Sequence, residues 1–239
     1  MIFVGIDDTD IIGTPGTNQL ARAILKGIGD ASLGAVICRH QLFFDPRVPY
    51  TSKNGSASIQ LPRAAAGDVT SLAETIREIM AKWFVEGSDP GLCIATRVPD
   101  LVKEYALSCK TRVVSQEEAY NVAEKSNCYL EGLGGTNQGV VGALAAVGLV
   151  SSGEDGRVVH LDFWTYPEDT FSGPRSIEEI LSRGVGEIRN LASDEKISEG
   201  LVDVGKHLRP NWRGNGIVLY VEPQNPAASA APWKAVKVP

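Results

Sequence analysis

Three aspartates close to the N-terminus, Asp7, Asp8 and Asp10, are the first residues whose types and spacing could do chemistry. They end an apolar segment that begins at Ile2 and predicts a buried strand. Carboxylates this close repel one another unless a cation neutralises them, and hard oxygen ligands favour Mg2+. The cluster predicts a magnesium site at the carboxyl end of a strand, where open α/β sheets place ligands. Alternatively, one aspartate caps the next turn and another is merely exposed.

A loop of small residues follows the aspartates and leads into a predicted helix, Asn18–Lys26. Backbone amides at a helix N-terminus bind anions, so Gly13, Gly16 and Thr17 could lie against a phosphate beside the metal. Thr17 could equally accept a backbone N–H as the N-cap of this helix. The sequence leaves both roles open.

A second glycine-rich loop precedes an apolar helix that ends near Leu149. Glycines let backbone amides approach phosphate oxygens closely, although glycine is also common in tight turns. The loop is not a Walker A loop, because Val140 follows its last glycine where that motif has lysine. The candidate phosphate-binding residues are Gly134, Gly135, Thr136, Asn137 and Gly139.

The segment Asp45–Ser56 combines rigid prolines, hydroxyl side chains and two cations, Arg47 and Lys53. An acidic nucleotide site needs cations to offset the charge of the transferring phosphate, and these two are the best placed by sequence. An ordinary surface loop could have the same composition.

Composition excludes several classes of function. The chain has 239 residues, 43% of them hydrophobic and 22% charged, which is typical of a globular protein and not of a disordered one. A net charge of -6 argues against a nonspecific polyanion binder. No apolar stretch is long enough to span a membrane, no secretory signal is visible, and the four cysteines are widely spaced. These features predict a cytoplasmic protein with free thiols.

Hydrophobic periodicity predicts an α/β (α+β) protein with a mixed sheet and flanking helices. Strands are predicted at residues 2–7, 35–44, 56–61, 92–98, around 129, 158–163, 185–191 and 217–221. Helices are predicted at 18–26, 68–85, 99–109, from 115, before 149 and from 176. Residues 223–239 are predicted to form a flexible or surface-draped tail.

Four motifs in this order resemble the N-terminal kinase-like domain of the tRNA(Ile2) 2-agmatinylcytidine synthetase family. They are GIDDTD (Gly5–Asp10), Gly16-Thr17, DPRVPYTSKNG (Asp45–Gly55) and the glycine-alanine run Gly135–Gly148. The resemblance implies a kinase-like ATP-binding domain at residues 1–166. The weaker periodicity after Pro167 predicts a small C-terminal α/β extension at 167–222, followed by the tail at 223–239.

The resemblance also implies residue roles. The three aspartates would hold Mg2+, the glycine segment would face the phosphates of ATP, and Thr17 matches a threonine that is autophosphorylated in the family. Family members activate a tRNA cytidine with ATP and then displace the activated oxygen with agmatine. The implied catalytic residues are Asp8, Thr17 and Lys53.

This sequence departs from the family pattern. Ile11 stands where the family has serine, Gly16–Gln19 replaces Cys-Thr-Thr-Tyr, and Thr51–Ser56 replaces Lys-Thr-Arg-Gly-Asn-Gly. About 70 residues follow position 166 and carry no cysteine cluster, so the ferredoxin-like, OB-fold and zinc-ribbon domains that hold tRNA in the synthetases are not expected here.

The sequence therefore predicts a Mg2+-ATP-dependent phosphotransferase or ligase-like enzyme with an unidentified acceptor and no tight tRNA binding of its own. Any residual affinity for tRNA would come from Arg47, Lys53, Arg209 and Arg213 if they lie in one cleft. One alternative is a noncatalytic nucleotide-binding or assembly module. A less favoured one is a haloacid-dehalogenase-like phosphohydrolase, because Asp8 and Asp10 form a D-x-D pair after a strand.

Overall fold

The computed structural model describes residues 1–48, 51, 53–62, 68–161, 164, 171–225 and 231–238. The strands are β1 Ile2–Asp7, β2 Val36–Arg39, β3 Ala57–Leu61, β4 Gly91–Ala95, β5 Tyr129–Gly132, β6 Arg157–Leu161, β7 Pro174–Ser176, β8 Glu187–Asn190, β9 Leu201–Asp203, β10 Asn211–Arg213, β11 Gly216–Pro223 and β12 Trp233–Ala235. The helices are α1 Thr17–Ile28, α2 Val69–Lys82, α3 Asp100–Ser108, α4 Gln116–Ser126, α5 Val140–Ser151 and α6 Ile177–Ser182.

Within the described residues these strands form one mixed sheet in the order β5-β4-β1-β3-β2-β6-β10-β11-β12-β9-β7, with β8 beside β11. The predicted mixed sheet with flanking helices is confirmed. Only the pairs β8–β11 and β9–β12 are parallel among the described strands, and both neighbours of β1 run antiparallel to it. The rule that ligands bind at the carboxyl ends of parallel strands therefore does not explain why the aspartates at the end of β1 face a site.

Helix α5 is apolar all round, which is typical of a helix buried on every side. It packs directly on β1, where an added Cβ at Gly5 would collide with the backbone carbonyl of Ala143. Glycine at this position allows the close approach. As a result, the N-terminal end of α5 lies beside the carboxyl end of β1.

Helices α1 and α2 cover the opposite face of the sheet. Their inward side chains, including Leu20, Ile24 and Ile76, join Val4 and Ile6 of β1 in one hydrophobic cluster. Strand β1 is thus buried between helices on both faces. No helix in the described part of the chain has both the length and the apolar character needed to cross a membrane.

A buried polar network joins β2, β3 and the turn before β6. His40 Nδ1 lies 2.9 Å from Asp155 Oδ1, its Nε2 lies 2.8 Å from Ser58 Oγ, and Lys110 also pairs with Asp155. These are the residue types of a nucleophilic triad, but Ser58 and His40 are 0% exposed, so a substrate does not reach the serine hydroxyl. Burial lowers the pKa of His40 and favours the neutral ring. We conclude that the network is structural.

Several boundaries of strands and helices differ from those predicted from the sequence. Strand β2 ends at Arg39, not at Phe44, and the following residues bond to the chain around Ser56. The prediction of a flexible or surface-draped tail was wrong for Trp233–Ala235, which pairs with β11 and β9. Strands β7, β9, β10 and β12 were not predicted, because three residues are too few to show alternation.

The division at residues 166 and 167 stays a prediction, although β6 pairs with β10 and so carries the sheet across it. The predicted strand end at Phe163, the proposed boundary itself and the loop residues Pro49, Tyr50 and Ser52 lie outside the described residues.

We expect Gly5→Ala to lower the free energy of unfolding by about 1–3 kcal/mol, because the new methyl group forces α5 away from β1. Gly216→Ala is the matched control, since its Cβ would lie 3.6 Å from the nearest atom, the Arg213 carbonyl oxygen, and should change stability by less than about 0.5 kcal/mol. Urea unfolding measures both. Equal losses in the two variants would contradict the close packing.

Candidate functional site

A cavity of about 690 Å3 opens at the carboxyl end of β1. Asp7, Asp8 and Asp10 lie on its wall, together with the N-terminal ends of α1 and α5. The packing of α1 and α5 on opposite faces of β1 brings both helix ends to this point. Helix N-termini carry partial positive charge and free backbone donors, so the wall combines carboxylates with anion-binding backbone.

The Asp7 carboxyl lies deep in the wall beneath α5, where an added Cβ at Gly142 would collide with its Oδ2. Burial, followed by the charges of Asp8 and Asp10, raises the pKa of Asp7 to about 7, against a lowering effect of the Asp8 backbone N–H. A nearby cation would favour the charged form and reverse this shift.

Asp8 has a backbone φ of 50°, in the left-handed region that non-glycine residues seldom adopt. Its backbone carbonyl accepts a hydrogen bond from Asp89 N at 3.1 Å, which holds the turn. Burial, then the charges of Asp89 and Asp10, raises the pKa of Asp8 to about 6. Strained backbone of this kind occurs at functional sites more often than elsewhere.

Thr17 is the first residue of α1, and the N-cap is Gly16, which makes no side-chain capping bond. The N-cap alternative for Thr17 was therefore wrong. Its hydroxyl donates to Asp10 Oδ1 at 3.1 Å and accepts from the hydroxyl of Thr9 at 3.2 Å. Thr51 donates to the other oxygen of Asp10 at 3.3 Å. Asp10 thus holds the threonine hydroxyl at the cavity wall.

The glycine loops contribute less to the wall than their composition predicts. Of the predicted phosphate-binding residues in the two loops, Gly16, Thr17 and Gly139 line the cavity. Thr136 instead donates its backbone N–H to Asp89 Oδ1 at 2.7 Å, which ties the second loop to the turn after α2. The predicted phosphate-binding residues that are outside the cavity lining are Gly13, Gly134, Gly135, Thr136 and Asn137.

The two predicted cations both reach the cavity. Arg47 forms a two-pronged pair with Asp45, at 2.7 and 2.8 Å, and its side chain is 73% exposed. Its charge is therefore offset at the mouth. Lys53 is an exposed residue on the same wall.

Sequence reasoning missed Arg39, Arg157 and Gly142 of the cavity wall, and it named Arg209 only as a source of residual tRNA affinity. Arg39 ends β2 and Arg157 begins β6, and a charged residue at the end of a buried strand was the available signal. Arg209, which precedes β10, and Gly142 within α5 gave no such signal. All four line the cavity.

The carboxylates of the cavity are the candidate ligands for a divalent cation. Within the described residues there is no group of three or more histidine, cysteine, aspartate or glutamate side chains placed to hold a metal. Mg2+, however, usually binds through one or two carboxylates together with substrate phosphates and water. Asp8 and Asp10 on one wall suit that mode and do not suit a metal held by protein ligands alone.

No protein-family model matches this chain, and no curated protein matches it. The fold is similar to that of a tRNA fluorescent labeling enzyme, with 25% identity and a TM-score of 0.53 over 76% of this chain and 43% of the other. It is also similar to TiaS (tRNA(Ile2) agmatidine synthetase). The complex with tRNA(Ile2), AMPCPP and agmatine shows 22% identity and a TM-score of 0.52, covering 81% of this chain and 48% of TiaS.

The complex of TiaS with tRNA(Ile2) and ATP is similar over 83% of this chain and 49% of TiaS, with 23% identity and a TM-score of 0.51. The chain therefore spans less than half the length of these solved structures. These structures cover a larger share of this chain than residues 1–166 make up. The likeness therefore extends beyond residue 166. The chain is related, at the level of its fold, to TiaS, the tRNA(Ile2) agmatidine synthetase.

Proposed function

We propose that this chain is a Mg2+-ATP-dependent phosphotransferase or ligase-like enzyme, related to tRNA(Ile2) agmatidine synthetase, that activates an acceptor. One observation carries the proposal: Asp10 and the hydroxyl of Thr17 are hydrogen-bonded at a helix N-terminus, on the wall of a cavity that also holds Asp8. The similarity to a fold that has been solved with ATP and AMPCPP supports it.

Each element of the site has a role in this proposal. Asp8 and Asp10 would hold Mg2+, with Asp7 behind them, and the ion would neutralise charge on the phosphates. The backbone amides at the start of α1, around Thr17, would face the phosphates. Gly139 would do the same at the start of α5, and Lys53 would offset developing charge.

In this proposal Thr17 accepts a phosphoryl group. Its Oγ1 would form a bond to the γ-phosphorus of ATP while the bond from that phosphorus to the oxygen of the leaving ADP breaks. The hydroxyl proton would pass to Asp10, whose Oδ1 already accepts it in a hydrogen bond at 3.1 Å.

Mg2+-ATP should raise the melting temperature, because a ligand that binds only the native state contributes about 2.7 kcal/mol at a hundredfold excess over Kd. Asp8→Asn should abolish the shift while keeping the backbone turn, since asparagine tolerates positive φ. Asp194→Asn is the matched control, an aspartate with φ 57° on the exposed surface. Differential scanning fluorimetry measures all three proteins, and an unchanged wild-type transition would contradict nucleotide binding.

We expect the purified protein to gain one phosphoryl group on Thr17 when it is incubated with Mg2+-ATP, as measured by intact mass. Thr17→Ala should gain none. Thr14→Ala is the control, because the Thr14 hydroxyl donates to the Ile11 carbonyl three residues away and not to an aspartate. If ATP binds but no phosphate is added or consumed, the chain is a noncatalytic nucleotide-binding module.

The chain should bind tRNA weakly by itself, because a net charge of -6 opposes a polyanion. Fluorescence anisotropy with labelled tRNA at about 0.15 M salt, where the screening length is about 8 Å, tests this. A submicromolar Kd under these conditions would be inconsistent with it and would indicate that the chain acts directly on tRNA.

A further inference from the structure

Three arginines lie side by side across neighbouring strands at one end of the cavity. Arg39 on β2 is paired in register with Arg157 on β6. Arg209 lies just before β10, the next strand along, and the carbonyl of the adjacent Pro210 accepts a hydrogen bond from Val158 N at 2.8 Å. All three residues line the cavity, and we call them the arginine cluster.

Within the described residues, no salt bridge joins a carboxylate to any arginine of the cluster. Asp155, two residues before Arg157, is already engaged by His40 and Lys110. The Nε of Arg157 is buried and makes no hydrogen bond to the described residues. Like charges directly opposite each other destabilise a sheet, so this cluster favours an anion.

Burial and mutual repulsion both act on the guanidinium groups. Burial is the larger cause that lowers the pKa of Arg39, and the charge of Arg209 lowers it further. Arg157 shows the same direction, from burial and then from Arg39 and Arg209. The charge of Arg209 therefore acts on both Arg39 and Arg157, which is consistent with its position beside their two strands.

The arginine cluster is separated from β1, which the aspartates follow, by two to three strand spacings. The backbone register runs from Ile6 to Ala57, then to Arg39 and to Arg157. With strands about 4.8 Å apart, Arg39 lies about 10 Å and Arg157 about 14 Å from β1. One cavity therefore has an acidic end and a basic end, and two ligand groups fit at once.

We propose that Arg39, Arg157 and Arg209 bind a phosphomonoester group of the acceptor while the nucleotide occupies the acidic end. The guanidinium fork matches phosphate oxygens, and a cluster of three positive charges favours a dianion over a singly charged carboxylate or phosphodiester. The position of the nucleotide at the acidic end rests on the proposed function, whereas the anion site at the arginine cluster does not depend on it.

Calorimetry at pH 8, where a phosphomonoester is a dianion, tests the site with inorganic phosphate as the probe. We expect phosphate to bind equally well with and without saturating Mg2+ and a nonhydrolysable ATP analogue. Arg157→Gln and Arg209→Gln should each weaken phosphate binding at least about tenfold, which is the loss of one charged hydrogen-bond partner. Arg97→Gln, on an exposed residue outside the cavity lining, should bind as wild type.

Three results would overturn the proposal. Displacement of phosphate by the analogue would assign the arginines to the nucleotide. Wild-type phosphate affinity in both variants would remove the site. Equal affinity for dimethyl phosphate or acetate would show that the cluster binds any singly charged anion and does not select a phosphomonoester. Phosphate binding that persists in a chain unable to bind ATP would sink the proposed function and leave the anion site standing.

Thermal stability separates a binding role from a structural one. In phosphate-free buffer we expect Arg157→Gln to melt about 2 °C above wild type, because the substitution relieves repulsion with Arg39. A lower melting temperature in this buffer, together with unchanged phosphate affinity, would mean that the arginine is structural. Arg209 is exposed, so Arg209→Gln keeps the binding test valid if Arg157→Gln does not fold.

Discussion

The direct contact between α5 and β1 is the constraint on which the rest of the structure depends. Because Gly5 and Gly142 lack side chains, the helix backbone lies against the strand and covers the carboxyl of Asp7. A helix one methyl group farther away would cover the Asp7 carboxyl less closely and move its own N-terminus away from the end of β1. The raised pKa of Asp7 and the backbone geometry of the site therefore have one cause, the close packing of an apolar helix.

Charge is distributed in the cavity in a way that disfavours the ligand-free protein. Burial raises the pKa of Asp7 and Asp8 at one end and lowers the pKa of Arg39 and Arg157 at the other, and neighbouring charges of the same sign add to each shift. A protein selected only for stability would pair Asp8 and Asp10 with Arg39 and Arg157. The aspartates instead lie two to three strands from these arginines. Such an arrangement favours ligand binding at the cost of stability, as functional sites commonly do.

Much of the central fold was readable from the sequence, and much of the basic end was not. The aspartates, the helix that starts at Thr17 and the apolar α5 each carry a local signal. The arginine cluster depends on cross-strand register between residues that are far apart in the chain, and hydrophobic periodicity does not encode register between distant strands. Thr17 shows how strongly a role depends on the exact start of a helix. If α1 began one residue later, Thr17 would be its N-cap and not a candidate phosphate acceptor.

The pairing of β6 with β10 has a consequence for how the site comes into being. Arg39 and Arg157 meet only when strands from distant parts of the chain align, and Arg209 joins them from later still. Contacts of such long sequence separation form slowly, because the loop-closure entropy is lost before they are made. During synthesis the acidic end can assemble once α5 is available to pack on β1, whereas the basic end also needs Arg157 and Arg209 from later in the sequence. A nascent chain would thus acquire its two charged ends in order, and would have a complete cavity only once the later strands have docked.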